Sequence, residues 1–506
     1  MTGGGYCGPK MTLIVGTISG MSTLSLTTEN PGPAVQRIGA RAAWLGFAVV
    51  LAAMVMDLLD STIAQTAAPA IRRDLGGSFA SLEWISAAYT LAMSVTLLLG
   101  SRLGDILGRR RVLLTGVGAF GAASALCALA PSAGALIAAR TLQGAIAAIM
   151  VPQGFGLTRE LFGDEGQQKA FAVVGPVMGL GAVAGPLVGG GLIDLNLLGS
   201  GWRAIFLVNV PIAAIAVVAG LRFLPGAPPA TPNARPDVIS VGLSMVGGFG
   251  LVYPLIEGRA HGWPIWSFAL LAVGVAAFAA FGWLQARRVR RGGSPLVDPS
   301  ILRRRPYVAG LAVVVCFIGA MGGMMIALNV MYQTGLAYSP LACGIATVAI
   351  PVAAIGGSIT SSALLDRLGR TTMQIGVVVM AIGLGIVDLV LRSAGGGLTG
   401  WDLAGPLAVT GFGMGMVFVP MFDVILAGVA PHQLGSASGL LESVQQLAMS
   451  LGIAAVGTVL FDSLGHGLGP AAFVAAAGHG LLVAIGFLVC AAGAVLWLPK
   501  HARPRE

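Results

Sequence analysis

The chain has 506 residues; 56% of them are hydrophobic, 10% are charged, and the formal net charge is +9. A soluble protein of ordinary composition carries about 25% charged residues, so the composition excludes a soluble globular protein and indicates an integral membrane protein. The basic residues are spread among short segments between apolar runs. That pattern excludes a nucleic-acid-binding face and is typical of the cytoplasmic loops of a membrane protein.

The residue types that hold cofactors show no suitable spacing. The five cysteines form no C-x-x-C pair, and the histidines have no metal-ligand spacing. The only lysines are Lys10, Lys169 and Lys500, and no phosphate-binding G-x-x-x-x-G-K-[ST] loop occurs. The sequence therefore predicts no metal site, no cofactor and no ATP hydrolysis.

The apolar runs are long enough to cross a membrane, because a spanning helix needs about 20 apolar residues. Fourteen runs occur, arranged as six, two and six, at 43–69, 81–101, 112–131, 134–156, 168–193, 203–222, 238–257, 265–285, 307–332, 340–363, 372–392, 401–428, 435–461 and 472–497. They predict an all-α membrane protein of two six-helix bundles with two inserted helices between them. The predicted divisions are a disordered cytoplasmic tail at 1–42, the bundles at 43–222 and 306–497, the inserted helices at 223–291, a basic cytoplasmic linker at 292–305 and a cytoplasmic tail at 498–506.

The turn Gly100–Leu114 fixes the orientation of these spans. It packs Arg102, Asp105 and the basic run 109–111 between two apolar runs, and short basic loops are retained in the cytoplasm. With both termini inside, most of the 29 Lys and Arg residues fall on the cytoplasmic side. Twelve or thirteen spans would lose this bias over part of the chain. We therefore expect a multi-pass protein of the cytoplasmic membrane with both termini cytoplasmic.

A nine-residue pattern occurs twice in the chain. Ser101–Arg109 matches Ser362–Arg370, and each copy follows the second span of a six-span set. Two six-helix halves with matching turns indicate a parallel internal repeat of the kind found in transporters.

Two acids lie within the first predicted span. Asp57 and Asp60 are three residues apart, on one face of a helix. A carboxylate at membrane depth is costly, so such residues face the interior of the bundle and tend to be functional. Removal from water favours the protonated form of a carboxylic acid, which allows proton binding and release near neutral pH. The sequence predicts proton coupling at both; the alternative is that they only bond neighbouring helices or lie near the interface.

Arg140, in the fourth predicted span, is the only basic residue at mid-membrane depth. It stays protonated, so it needs an acid or several carbonyl groups as partners. We expect Asp60 to be that partner and Arg140 to take part in proton coupling; the alternative is a structural clamp between helices. Gln143, beside it, and Thr62, in the first span, are candidate substrate contacts.

The thirteenth predicted span also carries an acid. Glu442 has Gln446 four residues further along, on the same helical face, and Gln445 beside it. We predict that Glu442 binds a second proton or a cationic substrate and that the two glutamines are candidate substrate contacts. The alternative is a solvated Glu442 near the cytoplasmic end. Asp388 and Asp423, in the eleventh and twelfth spans, are lesser candidates of the same kind.

The fifth predicted span is rich in glycine. Gly181, Gly185-Pro186 and Gly189-Gly190 form its densest part. Glycines at this density let two helices approach backbone to backbone, and the proline bends the helix.

These motifs resemble those of the drug/proton antiporters of the major facilitator superfamily, specifically the fourteen-span branch. Leu59–Pro69 resembles L-D-x-T-I-x-x-x-A-L-P, with Ala68 in place of Leu. The turn from Ser101 is similar to the superfamily loop G-x-L-a-D-r-x-G-r-r, with Ser101 for Gly and Ile106 for Arg. The other similar segments are Arg140–Gly144 (R-x-x-Q-G), Gly181–Gly190 (the GP-x2-GG antiporter motif, with Ala172 at its first glycine) and Trp202–Pro211 (W-R-w-i-F-l-i-N-v-P).

The resemblance implies the major facilitator fold and export of an amphipathic drug, antibiotic or secreted metabolite, driven by the proton motive force without a cofactor. Asp60 would carry the proton and Arg140 would assist it, and the two halves would alternate access by rocking. The residues implied to form the cytoplasmic gating loops are Ser101, Leu103, Gly104, Asp105, Gly108, Arg109, Arg110, Asp366, Arg367, Gly369 and Arg370. Those implied to form the antiporter helix are Gly181, Gly185, Pro186, Gly189 and Gly190.

Two other functions fit parts of the sequence. One is a proton-coupled uptake symporter on the same fold, against which the GP-x-x-GG helix argues. The other is a polytopic membrane enzyme, which would need catalytic acids, histidines or metal ligands clustered near one membrane face; the sequence shows no such cluster. The expected partners are a small amphipathic substrate, protons and membrane lipids, without nucleic acid, and we expect the protein to work as a monomer.

Overall fold

A computed structural model describes residues 40–196, 199–226, 237–291, 295–394, 397–426, 429, 433–465, 467 and 469–498. Every regular element in these residues is a helix. Hydrocarbon offers no hydrogen-bond partners, so an apolar chain satisfies its N–H and C=O groups within helices. Most of the predicted N-terminal tail (1–39), residues 292–294 of the linker and nearly all of the C-terminal tail (499–506) lie outside the described residues.

The first half contains α1 (Ala40–Leu75), α2 (Phe79–Leu107), α3 (Arg109–Ala128), α4 (Ala133–Met150), α5 (Gln153–Asp194), α6 (Ala204–Leu207) and α7 (Asn209–Phe223). The inserted pair is α8 (Val238–Ala260) and α9 (Ile265–Arg290), followed by the short α10 (Pro299–Leu302). The second half contains α11 (Arg305–Val330), α12 (Pro340–Thr347), α13 (Ala349–Leu368), α14 (Arg370–Ala394), α15 (Ala404–Leu426), α16 (Leu434–Leu464) and α17 (Pro470–Val495).

Each predicted span coincides with helix in the structure. Among the described residues, thirteen helices are long and apolar enough to cross a membrane. The fifth predicted span is the part of α5 beyond Gly163, whose φ of 66° interrupts that helix. The all-helical membrane fold predicted from the sequence is confirmed.

Three predicted spans are each divided between two helices, and the sixth is divided at Val208 between α6 and α7. The fourth continues from α4 through a turn at 151–152 into α5, and the tenth is divided at Val348 between α12 and α13. The division at Val348 has a local cause, because Pro351 has no N–H to donate to the Thr347 carbonyl. Side-chain caps begin other helices: Ser132 accepts from the Ala135 N–H at 3.3 Å and starts α4.

Among the described residues, the two halves meet mainly along two helix pairs. In the first half α1 packs on α5 and α7, and α2 packs on α4; in the second half α11 packs on α16 and α17, and α13 packs on α15. Between the halves, α2 contacts α16 and α5 contacts α12. The inserted helix α8 packs on both α2 and α16, so it touches both halves at once.

The outer surface is apolar. Ile215 is 70% exposed and Val218 69% on α7, Ile359 is 67% exposed on α13, and Leu389 is 65% exposed on α14. Soluble proteins do not leave so much large apolar side chain in contact with water, whereas a lipid bilayer covers it.

Candidate functional site

Asp60 lies at the centre of a buried polar cluster in the first half. Its side chain is only 1% exposed, and its Oδ2 forms an ion pair with Nη1 of Arg140. Its Oδ1 accepts from Nε2 of Gln143 at 2.9 Å and from Nδ2 of Asn209 at 2.8 Å. Three helices, α4, α7 and α1 itself, therefore meet at one carboxylate.

Arg140 uses its guanidinium to join these helices. Its Nε donates to the carbonyl oxygen of Ile85 at 3.2 Å, and its Nη1 also reaches Oε1 of Gln143 at 2.8 Å. A guanidinium cannot lose its charge in a protein, so burial demands an anion and several acceptors. Gly144 brings α4 onto α2 here, because a side chain at this position would overlap the Tyr89 carbonyl.

Asp57 is connected to the same cluster through Tyr89. The Tyr89 hydroxyl donates to Oδ1 of Asp57. Asp57 is half-buried and lies within electrostatic range of Asp60, Arg140 and Glu442. The two acids of the first span are thus linked to a single arginine, Asp60 directly and Asp57 through the tyrosine ring.

The sequence did not single out Asn209 or Ser124 as site residues. Ser124 Oγ accepts from Gln143 at 2.8 Å and from Asn209 at 3.3 Å, so it holds both amides in the orientation that faces Asp60. An amide inside an apolar run, as in Val-Asn-Val-Pro, is a signal that could have identified Asn209. A serine in a helix of small residues gives no comparable signal.

Two candidate substrate contacts are held within this packing. Gln143 is fully buried and is bonded to Asp60, Arg140 and Ser124. The Thr62 hydroxyl donates to the Leu58 carbonyl of its own helix at 2.9 Å. Contact of either residue with a substrate stays a prediction.

Glu442 lies on α16 of the second half and is half-buried. Its carboxylate accepts from Gln445 at 3.2 Å and from Gln446 at 3.4 Å, the two glutamines predicted beside it. Further along α16, Ser450 Oγ lies 2.6 Å from Thr90 Oγ1 of α2. The predicted acid therefore lies on the helix that contacts the first half.

The glycines of α5 face two different neighbours. Gly181, Gly185 and Gly189 face α1, where added methyl groups would meet Leu58, Thr62 and Ile63 respectively. Gly190 faces the second half, where a methyl group would lie 2.5 Å from Cα of Leu341. The carbonyl of Pro186 lies against Gly344 of α12. One helix thus touches both the segment of α1 around Asp60 and the opposite half.

The first predicted gating loop contains a sharp turn at Gly108, whose φ is 91°. Arg109 pairs with Asp105 at 3.1 Å and with Glu160 at 3.6 Å. Glu160 was not predicted. The Arg102 guanidinium donates to the Pro295 carbonyl at 2.8 Å, which ties the loop to the linker that follows α9.

Other contacts of this loop come from backbone groups and a glutamine. Ser101 Oγ donates to the Leu98 carbonyl of its own helix at 3.1 Å. Gly104 allows α5 to approach, because a methyl group there would overlap the side-chain amide of Gln153. Gln153 in turn donates to the Gly100 carbonyl at 2.8 Å. No role of Leu103 is tested by these contacts.

The second copy of the loop also turns at a glycine with a positive φ. Gly369 has a φ of 55° and separates α13 from α14, as Gly108 separates α2 from α3. Arg110 donates to the Leu221 carbonyl at 2.5 Å, and Arg370 donates to the Leu496 carbonyl at 2.7 Å. In each half, an arginine after the glycine therefore binds the end of the last helix of that half.

The other predicted acids of the second half differ from the Asp60 cluster. Asp388 pairs with Arg392 of its own helix at 2.8 Å. The side chains of Asp366 and Asp423 lie outside the part of the chain that the structure describes, and Arg367 is exposed at the end of α13.

Comparison with known proteins places these features in a family. A family model described as the Major Facilitator Superfamily matches residues 49–453. The chain is 42% identical to a probable actinorhodin transporter of Streptomyces coelicolor over 87% of this chain and 75% of that protein. It is 34% identical to the puromycin resistance protein pur8 of Streptomyces alboniger, over 88% of each chain.

The fold has solved counterparts. A crystal structure of an auto-inhibited POT family peptide transporter superposes with a TM-score of 0.64 at 17% identity, covering 91% of this chain and 99% of that one. At this identity the likeness concerns the fold alone. Together with the family match across four-fifths of the sequence, these findings establish that the chain belongs to the Major Facilitator Superfamily and is a membrane transporter rather than an enzyme.

Proposed function

We propose that this transporter exports an amphipathic antibiotic, drug or secreted metabolite across the cytoplasmic membrane in exchange for protons. The observation that carries the proposal is the buried Asp60–Arg140 pair, in which a carboxylate is held by one guanidinium and two neutral amides. Buried ionisable groups in membrane helices mark proton pathways. The relatives named as a transporter and a resistance protein for antibiotics support export over uptake.

The cluster can couple a proton to helix movement. Ionised Asp60 compensates the charge of Arg140, and both amides donate to it. A proton on Asp60 cancels that compensation, and Arg140 then exchanges the carboxylate for its neutral acceptors, the Ile85 carbonyl and Oε1 of Gln143. Because Asp60 is on α1 and Arg140 on α4, the exchange of partners changes how these helices hold together.

Movement at α1 can reach the opposite half through α5. The stripe of Gly181, Gly185 and Gly189 packs on α1 just around Asp60, and Pro186 and Gly190 pack on α12. Shifting α1 therefore acts on the α5–α12 contact that joins the halves. Glu442 on α16 offers a second acid on the other side, for a proton or for a cationic part of the substrate.

The remaining parts of the proposal concern orientation and assembly. Both termini are cytoplasmic, the paired loops at Gly108 and Gly369 gate the cytoplasmic side, and the divisions at 43–222, 223–291, 292–305 and 306–497 delimit the bundles, insertion and linker. The protein works as a monomer surrounded by lipid, and its energy source is the proton motive force.

The test follows the pH gradient across the membrane of energised everted vesicles while puromycin or actinorhodin is added as the probe. Vesicles contain the wild type, Asp60→Asn or the matched control Asp74→Asn. Asp74 also pairs with an arginine, Arg203, but its side chain is 50% exposed. We expect a probe to dissipate the pH gradient with wild type and Asp74→Asn but not with Asp60→Asn. Equal dissipation by Asp60→Asn would remove Asp60 from coupling, and probe movement without proton flux would contradict antiport.

A further inference from the structure

Glu83, near the start of α2, is a carboxylate that the Asp60 cluster does not involve. Its side chain is completely buried. Its Oε1 lies 3.4 Å from Nη2 of Arg259, and its Oε2 has no hydrogen-bond partner among the described residues. Six residues separate Glu83 from Tyr89, about 9 Å along the helix. It is therefore a separate group, displaced from the Asp60 cluster toward the end of the bundle predicted to face outward.

Arg259 comes from the inserted helix α8. Its side chain is 13% exposed, so it connects the buried acid with the surface. Its Nε has no acceptor among the described residues, and its one ion-pair contact with Glu83 is long for a charge-assisted hydrogen bond. A buried ion pair offsets the cost of desolvation only with good geometry and satisfied remaining atoms. The Glu83–Arg259 pair has neither, so the guanidinium offsets little of the cost of burying the carboxylate.

The pair lies where three parts of the protein meet. Gly457 of α16 faces the acid, and a methyl group there would lie 2.7 Å from Cδ of Glu83. The ring of Phe461, also on α16, has its centroid 5.2 Å from Cζ of Arg259. The first half, the inserted pair and the second half therefore all contact the Glu83–Arg259 pair.

Other charged groups lie around the pair on three helices. Glu257 of α8 accepts from Nε1 of Trp84 at 2.9 Å, and its carbonyl is 2.9 Å from Nδ1 of the exposed His261. On α1, Arg72 lies 4.0 Å from the centroid of the Phe79 ring, which stacks on Phe461. On α16, Asp462 is exposed next to Phe461.

We propose that Glu83 is a further proton-binding site and that the inserted helix supplies its counter-ion, Arg259. A proton from the outward side binds an oxygen lone pair of Glu83, no other covalent bond changes, and the acid becomes neutral in its apolar surroundings. Arg259 keeps its charge, and its partly exposed side chain turns toward water. The tie between α2 and α8 is thereby released, which gives the inserted helices a part in the transport cycle.

This inference rests on the proposed function only in taking the proton as the coupling ion, so its test measures proton binding and not transport. Infrared difference spectra of the purified protein, without substrate, are recorded across a pH titration. The signal is the carbonyl band of a protonated carboxylic acid. The variants are Glu83→Gln, Asp60→Asn and, as the matched control, Glu257→Gln, which changes the neighbouring acid of the same region.

We expect Glu83→Gln to lose a titrating band that wild type, Asp60→Asn and Glu257→Gln retain. Arg259→Gln provides a second test that keeps Glu83 itself: without the guanidinium the same band grows in at higher pH. The proposal would be overturned if folded, monodisperse Glu83→Gln kept every titrating band, or if the band titrated at the same pH in Arg259→Gln as in the wild type. Either result would leave the pair with a purely structural role. If Glu83 titrates while vesicles show no proton exchange, the export proposal fails and this one stands.

Discussion

The guanidinium of Arg140 lies over the ring of Tyr89, with Cζ 4.2 Å from the ring centroid, and the hydroxyl of that ring donates to Asp57. One tyrosine thus contacts a cation with the face of its ring and a carboxyl group with its hydroxyl. Asp60 pairs with the guanidinium directly, and Asp57 is connected to it through the tyrosine. The arrangement explains how two acids of one helix can lie near each other without an arginine for each.

Removing the Tyr89 hydroxyl tests this arrangement. We expect Tyr89→Phe to lower the free energy of unfolding by about 1–3 kcal/mol, the cost of leaving a buried hydrogen-bonding group without its partner. The cation–π contact with Arg140 is kept in this variant. Denaturant titration of the purified protein measures the change, and Tyr89→Leu, which also loses the ring, should cost more.

A double-mutant cycle distinguishes the hydrogen bond from other effects of the substitution. In an Asp57→Asn background the hydroxyl no longer faces a carboxylate, so Tyr89→Phe should cost clearly less than in the wild type. An equal cost in both backgrounds would mean that the Tyr89–Asp57 contact contributes nothing of its own to stability.

The glycine stripe of α5 predicts a position-specific sensitivity. At Gly185 a methyl group would overlap the Thr62 hydroxyl of α1. We expect Gly185→Ala to destabilise the protein by about 1–3 kcal/mol, the usual cost of overpacking, and to impair export. Thermal unfolding and vesicle transport are the measurements.

Gly191 is the matched control on the same helix. A methyl group there has no neighbour within 4 Å, so Gly191→Ala should be neutral, or stabilising by up to about 1 kcal/mol through helix propensity. If both variants behaved alike, the glycines would act through helix propensity, and close packing on α1 would not be their role.

The contact between α5 and α12 predicts where a cross-link stops transport. Ser339 Oγ donates to Oδ2 of Asp194 at 2.7 Å, and both residues lie at the surface. In an Asp194→Cys/Ser339→Cys double variant, oxidation should join the halves at this end, abolish export, and allow recovery on reduction. Export by vesicles is measured before oxidation, after it and after reduction.

Each single cysteine variant, oxidised in the same way, controls for the native cysteines, of which Cys490 is exposed. These single variants should keep their activity. Full export by the cross-linked double variant would show that α5 and α12 need not separate at this end during the cycle.

The sequence by itself determined the membrane class, the positions of the spans, the repeat and most of the charged candidates. The physical reason is local: hydrocarbon requires long apolar helices, and each charge within one is conspicuous because it is costly. The repeated Gly-Arg turn was readable for a similar reason, since a glycine between two helices permits the positive φ found at Gly108 and Gly369.

Only the tertiary structure decided which of these residues act together. Asn209 lies 149 residues from Asp60 in sequence and Arg259 lies 176 residues from Glu83, yet each pair is in direct contact. Nothing in the periodicity of either helix specifies such a partner, because a buried polar group takes whichever donor the packing of helices brings within reach. For the same reason Glu83, near the end of a span in the sequence, proved to be fully buried against an inserted helix.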